Sequence, residues 1–233
     1  TAWELVQGSE TIGREQRLLV EARYSQSLGD WEEAASLYAE LFAFDDRNLE
    51  YGLKLAASLS SAGRAEEALE TLAVLRELPE PMRHDPRIDY QEARADQALS
   101  RHDDQRAAAE RAIAKGEILR SNQLVARGHV LAGEAMFKLG QPERALAGFE
   151  KAREIYDATG NRSGQADVLN SIAIHNAKAG RPEAARAMLE QALDLSRAIG
   201  NRGLSARTLG NLAINAHMRG DLEDAAHSYR DAL

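Results

Sequence analysis

The chain has 233 residues, a formal net charge of −8, 5% aromatic residues and no cysteine. The absence of thiols excludes disulfides, thiolate zinc sites and cysteine nucleophiles. Acidic and basic residues are mixed throughout with no basic stripe, so the charge reads as a solvated surface and nucleic-acid binding by this segment is not expected.

Ala, Leu, Glu and Arg dominate, while Val and Ile are scattered, which predicts helices and no sheet. No apolar stretch approaches the length of a bilayer span, and no signal peptide is present. Residues 1–10, with Trp3, Leu5 and Val6, read as the tail of a preceding helix that caps the first unit. A hairpin over 14–47 follows, turning at Gly29, with Asp30 as N-cap of its second helix and Glu32 and Glu33 in the first turn. The hairpin over 48–84 turns at Gly63 and ends in the break Leu78-Pro79-Glu80-Pro81-Met82. Asp85-Pro86 opens a third over 86–121, whose turn is expected at His102-Asp103 without a glycine. Three more cover 122–160, 161–200 and 201–233, turning at Gly140, Gly180 and Gly220, with Pro142 and Pro182 in the first turn of a second helix and Asp221 as an N-cap.

Self-similarity ties these hairpins together. Gly160-Asn161-Arg162 recurs as Gly200-Asn201-Arg202, and the last three turn glycines are 40 residues apart, against 34 between Gly29 and Gly63. Six further residues add about 9 Å of helix, so longer hairpins and a deeper groove are expected toward the C-terminal end. Seven residues before each turn stand Ala22, Ala56, Ala95, Gly133, Ala173 and Ala213; five after it stand Ala34, Ala68, Ala107, Ala145, Ala185 and Ala225. Nine after it come Tyr38, Leu72, Arg111, Phe149, Leu189 and Tyr229. Small residues let two antiparallel helices approach, and one bulky residue fills the space beside them. In the third unit Arg111 breaks that rule, and this unit is expected to be the most irregular.

This pattern resembles the tetratricopeptide repeat over nearly the whole chain. The family's early Trp is replaced, by Leu18, Leu169 and Leu209 among others. The resemblance implies an all-α, right-handed superhelical α-solenoid: a single array of about six hairpins whose first helices line a concave face. On the family's register the partner-binding candidates are Arg23, Glu50, Asp89, Glu92, Asp96, Arg127, Glu134, Asn170, Ile174, Arg207, Ile214 and His217. Asp89, Glu92 and Asp96, with Glu50 beside them, form an acidic stripe on this reading, which is either an ordinary solvated face or a site for a basic segment. Asn170, Ile174, Arg207 and Ile214 form a mixed apolar and polar patch. Leu19 and Arg23 stand where chaperone-binding members of the family place the Lys and Asn that clamp a terminal carboxylate, so that class is not expected.

Chemistry has little support in the sequence. Carboxylate pairs sit at helix starts, where they complement the helix dipole instead of facing each other across a pocket. The six histidines form no metal-ligand spacing; His217 and His227, with Asp221, straddle a turn. The Walker pattern and the nucleophile elbow are both absent. No catalytic residue, metal or cofactor is assigned, and the chain is not expected to be an enzyme.

The start at Thr1 and the end at Leu233 inside a helical pattern read as a piece cut from a longer protein. Residues 15–55, and the Asp85-Pro86-Arg87-Ile88-Asp89 opening, look like the C-terminal repeat region of bacterial signalling proteins that carry a Ser/Thr kinase or a winged-helix domain. The resemblance implies a regulatory scaffold binding a protein or peptide, with small-molecule sensing and self-association into a homo-oligomer as alternatives. The compartment is left open between the cytoplasm and the outer side of a membrane-anchored parent.

Overall fold

A computed structural model of the chain describes residues 13–232; the expected helical tail over 1–10 lies outside the described residues. These residues form twelve α-helices, one 3-10 turn at Met82–His84, and no strand. The helices are α1 Arg14–Leu28, α2 Trp31–Phe44, α3 Leu49–Ser61, α4 Ala65–Arg76, α5 Pro86–Ala98, α6 His102–Ile118, α7 Asn122–Lys138, α8 Pro142–Thr159, α9 Arg162–Lys178, α10 Pro182–Ala198, α11 Arg202–Met218 and α12 Leu222–Asp231. This is an α-solenoid of antiparallel hairpins. It forms two compact units, Thr1–Lys115 and Gly116–Leu233, and the division falls inside α6.

Local chemistry sets the helix ends. The side chains of Asp30, Asp85, Asn161, Asn201 and Asp221 each accept a hydrogen bond from a backbone N–H in the following turn. Pro86, Pro142 and Pro182 occupy first-turn positions, where the lost N–H has no intrahelical partner anyway.

Packing then follows the small-residue pattern. Ala22, Ala56, Ala145, Ala173, Ala185 and Ala213 are fully buried where first and second helices cross. At Gly133 the approach is closer still: a Cβ there would lie 2.7 Å from the Phe149 ring and 3.1 Å from the Ala145 carbonyl. Tyr38, Leu72, Phe149 and Leu189 fill the space beside these contacts and are buried. Tyr229, in the last described hairpin, is half exposed.

The third hairpin departs from the sequence expectation. Its turn lies at Ser100, two residues before His102, and Ser100 takes the left-handed backbone conformation with φ 58°. Counted from Ser100, the packing positions become Ala93, Gln105, Ala109 and Ala112, all buried, while Ala107, Arg111 and Ala114 are exposed. Arg111 is therefore not a failed bulky residue; Ala109 takes the packing position, and Arg111, partly exposed, turns its guanidinium to Asp89 and Glu92.

With Ser100 in place the turns become regular. Ser100, Arg120, Gly140, Gly160, Gly180, Gly200 and Gly220 all have positive φ, one every twenty residues. The 40-residue period thus begins in the third hairpin, earlier than the glycines alone indicate. Helices α1 to α5 have 12 to 15 residues, and α6 to α11 have 17 or 18. No described helix is long and apolar enough to cross a membrane.

Ser100 and Arg120 hold a conformation that disfavours a Cβ by about 1–2 kcal/mol. Ser100→Gly and Arg120→Gly each lose that strain but gain unfolded-state entropy. The expected net is a stabilisation of about 0.5 kcal/mol per site, read as a higher urea midpoint at unchanged m-value.

Candidate binding face of the first helices

Neighbouring first helices lie side by side within each unit. In the first unit α3 touches α5, and Gln26 of α1 donates to Ser58 of α3 at 3.2 Å. In the second, α9 touches both α7 and α11. The positions expected to point outward divide by depth. Leu53, Tyr90 and Asn170 lie in the seam between neighbouring first helices and are buried. Arg23, Ile174 and Ile214, about one turn further along their own helices, are exposed.

The acidic stripe of the third hairpin is corrected by the structure. Asp89 is 0% exposed and Asp96 4%, so neither lies on a solvated face. The reason is the two-residue displacement of the turn, which rotates the register of α5 by about 200°. The outward positions of α5 are instead Arg87, Tyr90, Arg94 and Gln97. Arg87 forms two bonds of 2.9 Å to Asp85 and reaches Glu50 at 2.5 Å. Arg87 is thus neutralised by Asp85 and Glu50, and this part of the face is not the acidic stripe expected from the sequence.

Asp89 and Glu92 turn toward the second helices and meet cations there. Asp89 accepts from Arg76 Nη2 and Arg111 Nε, both at 2.9 Å, and from Lys115 Nζ at 2.6 Å. Glu92 pairs with Arg76 and, at 2.9 Å, with Arg111. Burial alone would raise the Asp89 pKa, but these three cationic donors hold it below the usual carboxylate value. Asp96, about two turns further along, has no such partners. Burial, reinforced by the charges of Glu92 and Asp104, pushes its carboxyl up to about 6.

In the second unit Asn170 is also corrected, from a partner contact to a seam residue. Its amide donates to the Ala166 carbonyl and to Thr208 Oγ1, both at 2.9 Å, and its oxygen accepts from Asn211 at 2.9 Å. These bonds pin α9 to α11. Arg207 pairs with Asp167 across the same seam. Ser171 donates to Glu134 at 3.5 Å, which links α9 to α7. Above the seam Ile174 is 41% exposed and Ile214 52%, at equivalent places in successive repeats. Met218, one turn beyond Ile214, is 58% exposed. His175 is buried with Nδ1 lacking a hydrogen bond, its ring centroid 5.6 Å from that of Phe137, and burial lowers its pKa. Lys178 crosses from α9 to place Nζ 4.9 Å from the Phe137 ring centroid.

Of the remaining candidates, Arg23, Glu50, Arg127 and His217 are exposed, and Glu92 and Glu134 are half-buried. The sequence reading missed Arg87, Arg94, Lys138, Lys178 and Met218. A usable signal existed for the first two, because Ser100 lies 40 residues before Gly140. Among the described residues no group of three or more His, Asp or Glu is placed to hold a metal ion.

The two buried aspartates predict opposite pH behaviour. The Asp89 contribution is present above the ordinary carboxylate pKa and is lost as pH falls below it; Asp89→Ala should cost about 2–4 kcal/mol at pH 7. Asp96 is raised, so its charged form opposes folding at pH 7 and the penalty disappears as pH falls through about 6. Asp96→Asn should therefore stabilise by about 1–3 kcal/mol at pH 7 and by little at pH 4. Urea titrations of wild type and variants at both pH values measure the difference.

The geometry can be set beside known proteins. A tetratricopeptide-repeat family model matches residues 124–198 and 164–233. No curated protein matches the chain. Among solved structures, BtubC (BKLC) from P. vanneervenii is 18% identical with a TM-score of 0.63, over 95% of this chain and 90% of that one. Kinesin-light-chain-type repeats from Podosopora anserina are 20% identical with a TM-score of 0.59, over 80% and 93%. A Rap protein complexed with competence and sporulation factor is 13% identical with a TM-score of 0.75, over 98% and 78%. At these identities the likeness speaks for the fold. Residues 124–233 thus match the tetratricopeptide-repeat model, and the described hairpins before them have the same α-solenoid architecture.

Proposed function

We propose that this chain is a protein-interaction module of a bacterial signalling protein, holding a peptide or partner surface against its first-helix face. The observation that carries the reading is the pair Ile174 and Ile214. Both stand one turn beyond a fully bonded polar seam, in equivalent repeat positions, with roughly half their surface in water. The hairpins themselves do not need these side chains, whose burial by a partner would contribute about 1 kcal/mol or more each. An open face of this kind suits a macromolecular segment better than an enclosed small molecule.

The structural relatives add support of a limited kind. One Rap protein of similar fold is complexed with competence and sporulation factor, and another relative is an aspartyl phosphate phosphatase from Bacillus subtilis. The similarity of residues 15–55 to repeat regions of bacterial signalling proteins points the same way.

The test is affinity capture from a bacterial extract with immobilised wild type and with Ile174→Ser plus Ile214→Ser. At least one protein should be retained by wild type and reduced about tenfold or more with the variant. Equal recovery on both, with unchanged helicity and Tm, removes the face from consideration.

A further inference from the structure

Charge in the second unit is divided between the two sets of helices. The first helices α7, α9 and α11 carry only two carboxylates, Glu134 and Asp167, against six Lys and Arg residues. The second helices α8, α10 and α12 carry four, three and three carboxylates, against six Lys and Arg residues in total. In a chain of net charge −8, the first helices of this unit thus carry a net positive charge.

The few carboxylates near that face are already occupied. Asp167 is paired with Arg207, and Glu134 accepts from Ser171. At the end of the seam, Arg219 holds Glu183, Asp221 and Asp224. Lys138, Lys178 and Arg181 have no carboxylate partner among the described residues. Lys138, Lys178 and Met218 share one repeat position on α7, α9 and α11, one turn beyond Glu134, Ile174 and Ile214. Two exposed isoleucines and a methionine therefore adjoin two ammonium groups that have no carboxylate partner. The Lys178 ammonium lies over the Phe137 ring, 4.9 Å from its centroid, which holds the charge beside apolar surface without neutralising it.

Resting on the binding-face reading above, we infer that the second unit takes an acidic polypeptide segment whose apolar side chains sit on Ile174, Ile214 and Met218 and whose Asp or Glu residues meet Lys138 and Lys178. The basic segment expected from the sequence was assigned to carboxylates of the first unit, where Asp89 and Asp96 are buried and Glu50 and Glu92 are ion-paired. Complementary charge sets partner choice and association rate, and the apolar contacts slow dissociation.

A random dodecapeptide display library panned on the full chain tests this, followed by fluorescence anisotropy of the enriched peptides with three proteins. These are wild type, Lys138→Glu plus Lys178→Glu, and Ile174→Ser plus Ile214→Ser, each checked for native helicity and Tm. Enriched peptides should combine Leu, Ile, Phe or Trp with Asp or Glu. Their Kd should rise about tenfold or more with either double variant, and also between 0.05 and 0.5 M salt, at roughly these magnitudes for screened surface charge. Peptides that lose binding with the isoleucine variant but show no acidic bias and no response to the lysine variant leave the binding face standing and overturn the charge assignment. Absence of enrichment, or binding indifferent to both variants, overturns the face and this inference together. Light scattering supplies the remaining outcome: a wild-type dimer that the lysine variant abolishes means a second copy, through its acidic second helices, is the occupant, and the peptide assignment falls.

Discussion

The close approach of two helices at small residues is the constraint on which the rest of the molecule depends. A hairpin whose crossing points are Ala or Gly brings its backbones near enough for one Tyr, Phe or Leu to fill what remains, as Phe149 does against Gly133. Enlarging a crossing residue would force the helices apart at a cost of about 1–3 kcal/mol. Once the crossing is fixed, the rotation of each helix is fixed too. The side of the first helix opposite its partner is then free to meet the neighbouring first helix and to face solvent.

Rotation explains why a small local change alters the chemistry of the surface. Ser100 places the third turn two residues earlier than His102, and α5 presents Arg87 and Arg94 where Asp89, Glu92 and Asp96 would otherwise stand. The displaced carboxylates are accommodated because cations occur opposite them on the second helices. Asp89, fully buried, is supported by three donors, whereas Asp96 receives no comparable compensation. One residue of the pair stabilises the fold as a charge, and its neighbour about two turns away is better accommodated as a neutral acid near pH 5.

The second unit separates structural and recognition roles by depth. Asn170, Thr208 and Asn211 use their hydrogen-bonding capacity on each other and on helix backbone, so they fix the spacing of the first helices. The residues one turn further, Ile174 and Ile214, form no part of that network and remain exposed. Such a division lets a repeat change its outward residues without disturbing its stacking, since the two sets lie at different radii on the same helix.

The sequence by itself determined the helical class, the caps at Asp30 and Asp221, and the packing positions of every hairpin whose turn carries a glycine. Those features are local, or repeat at a fixed spacing, and residue identity reports them directly. Two turns were hidden because Ser100 and Arg120 adopt a glycine-like conformation without being glycine; only neighbouring structure can hold a residue there. Which polar residues face water was also decided by tertiary structure. Asn170 and Ile174 lie four residues apart on one helix, and only the position of α11 makes the first a seam residue and leaves the second exposed. Periodicity identifies the face of a helix, while depth within that face depends on how near the next helix comes.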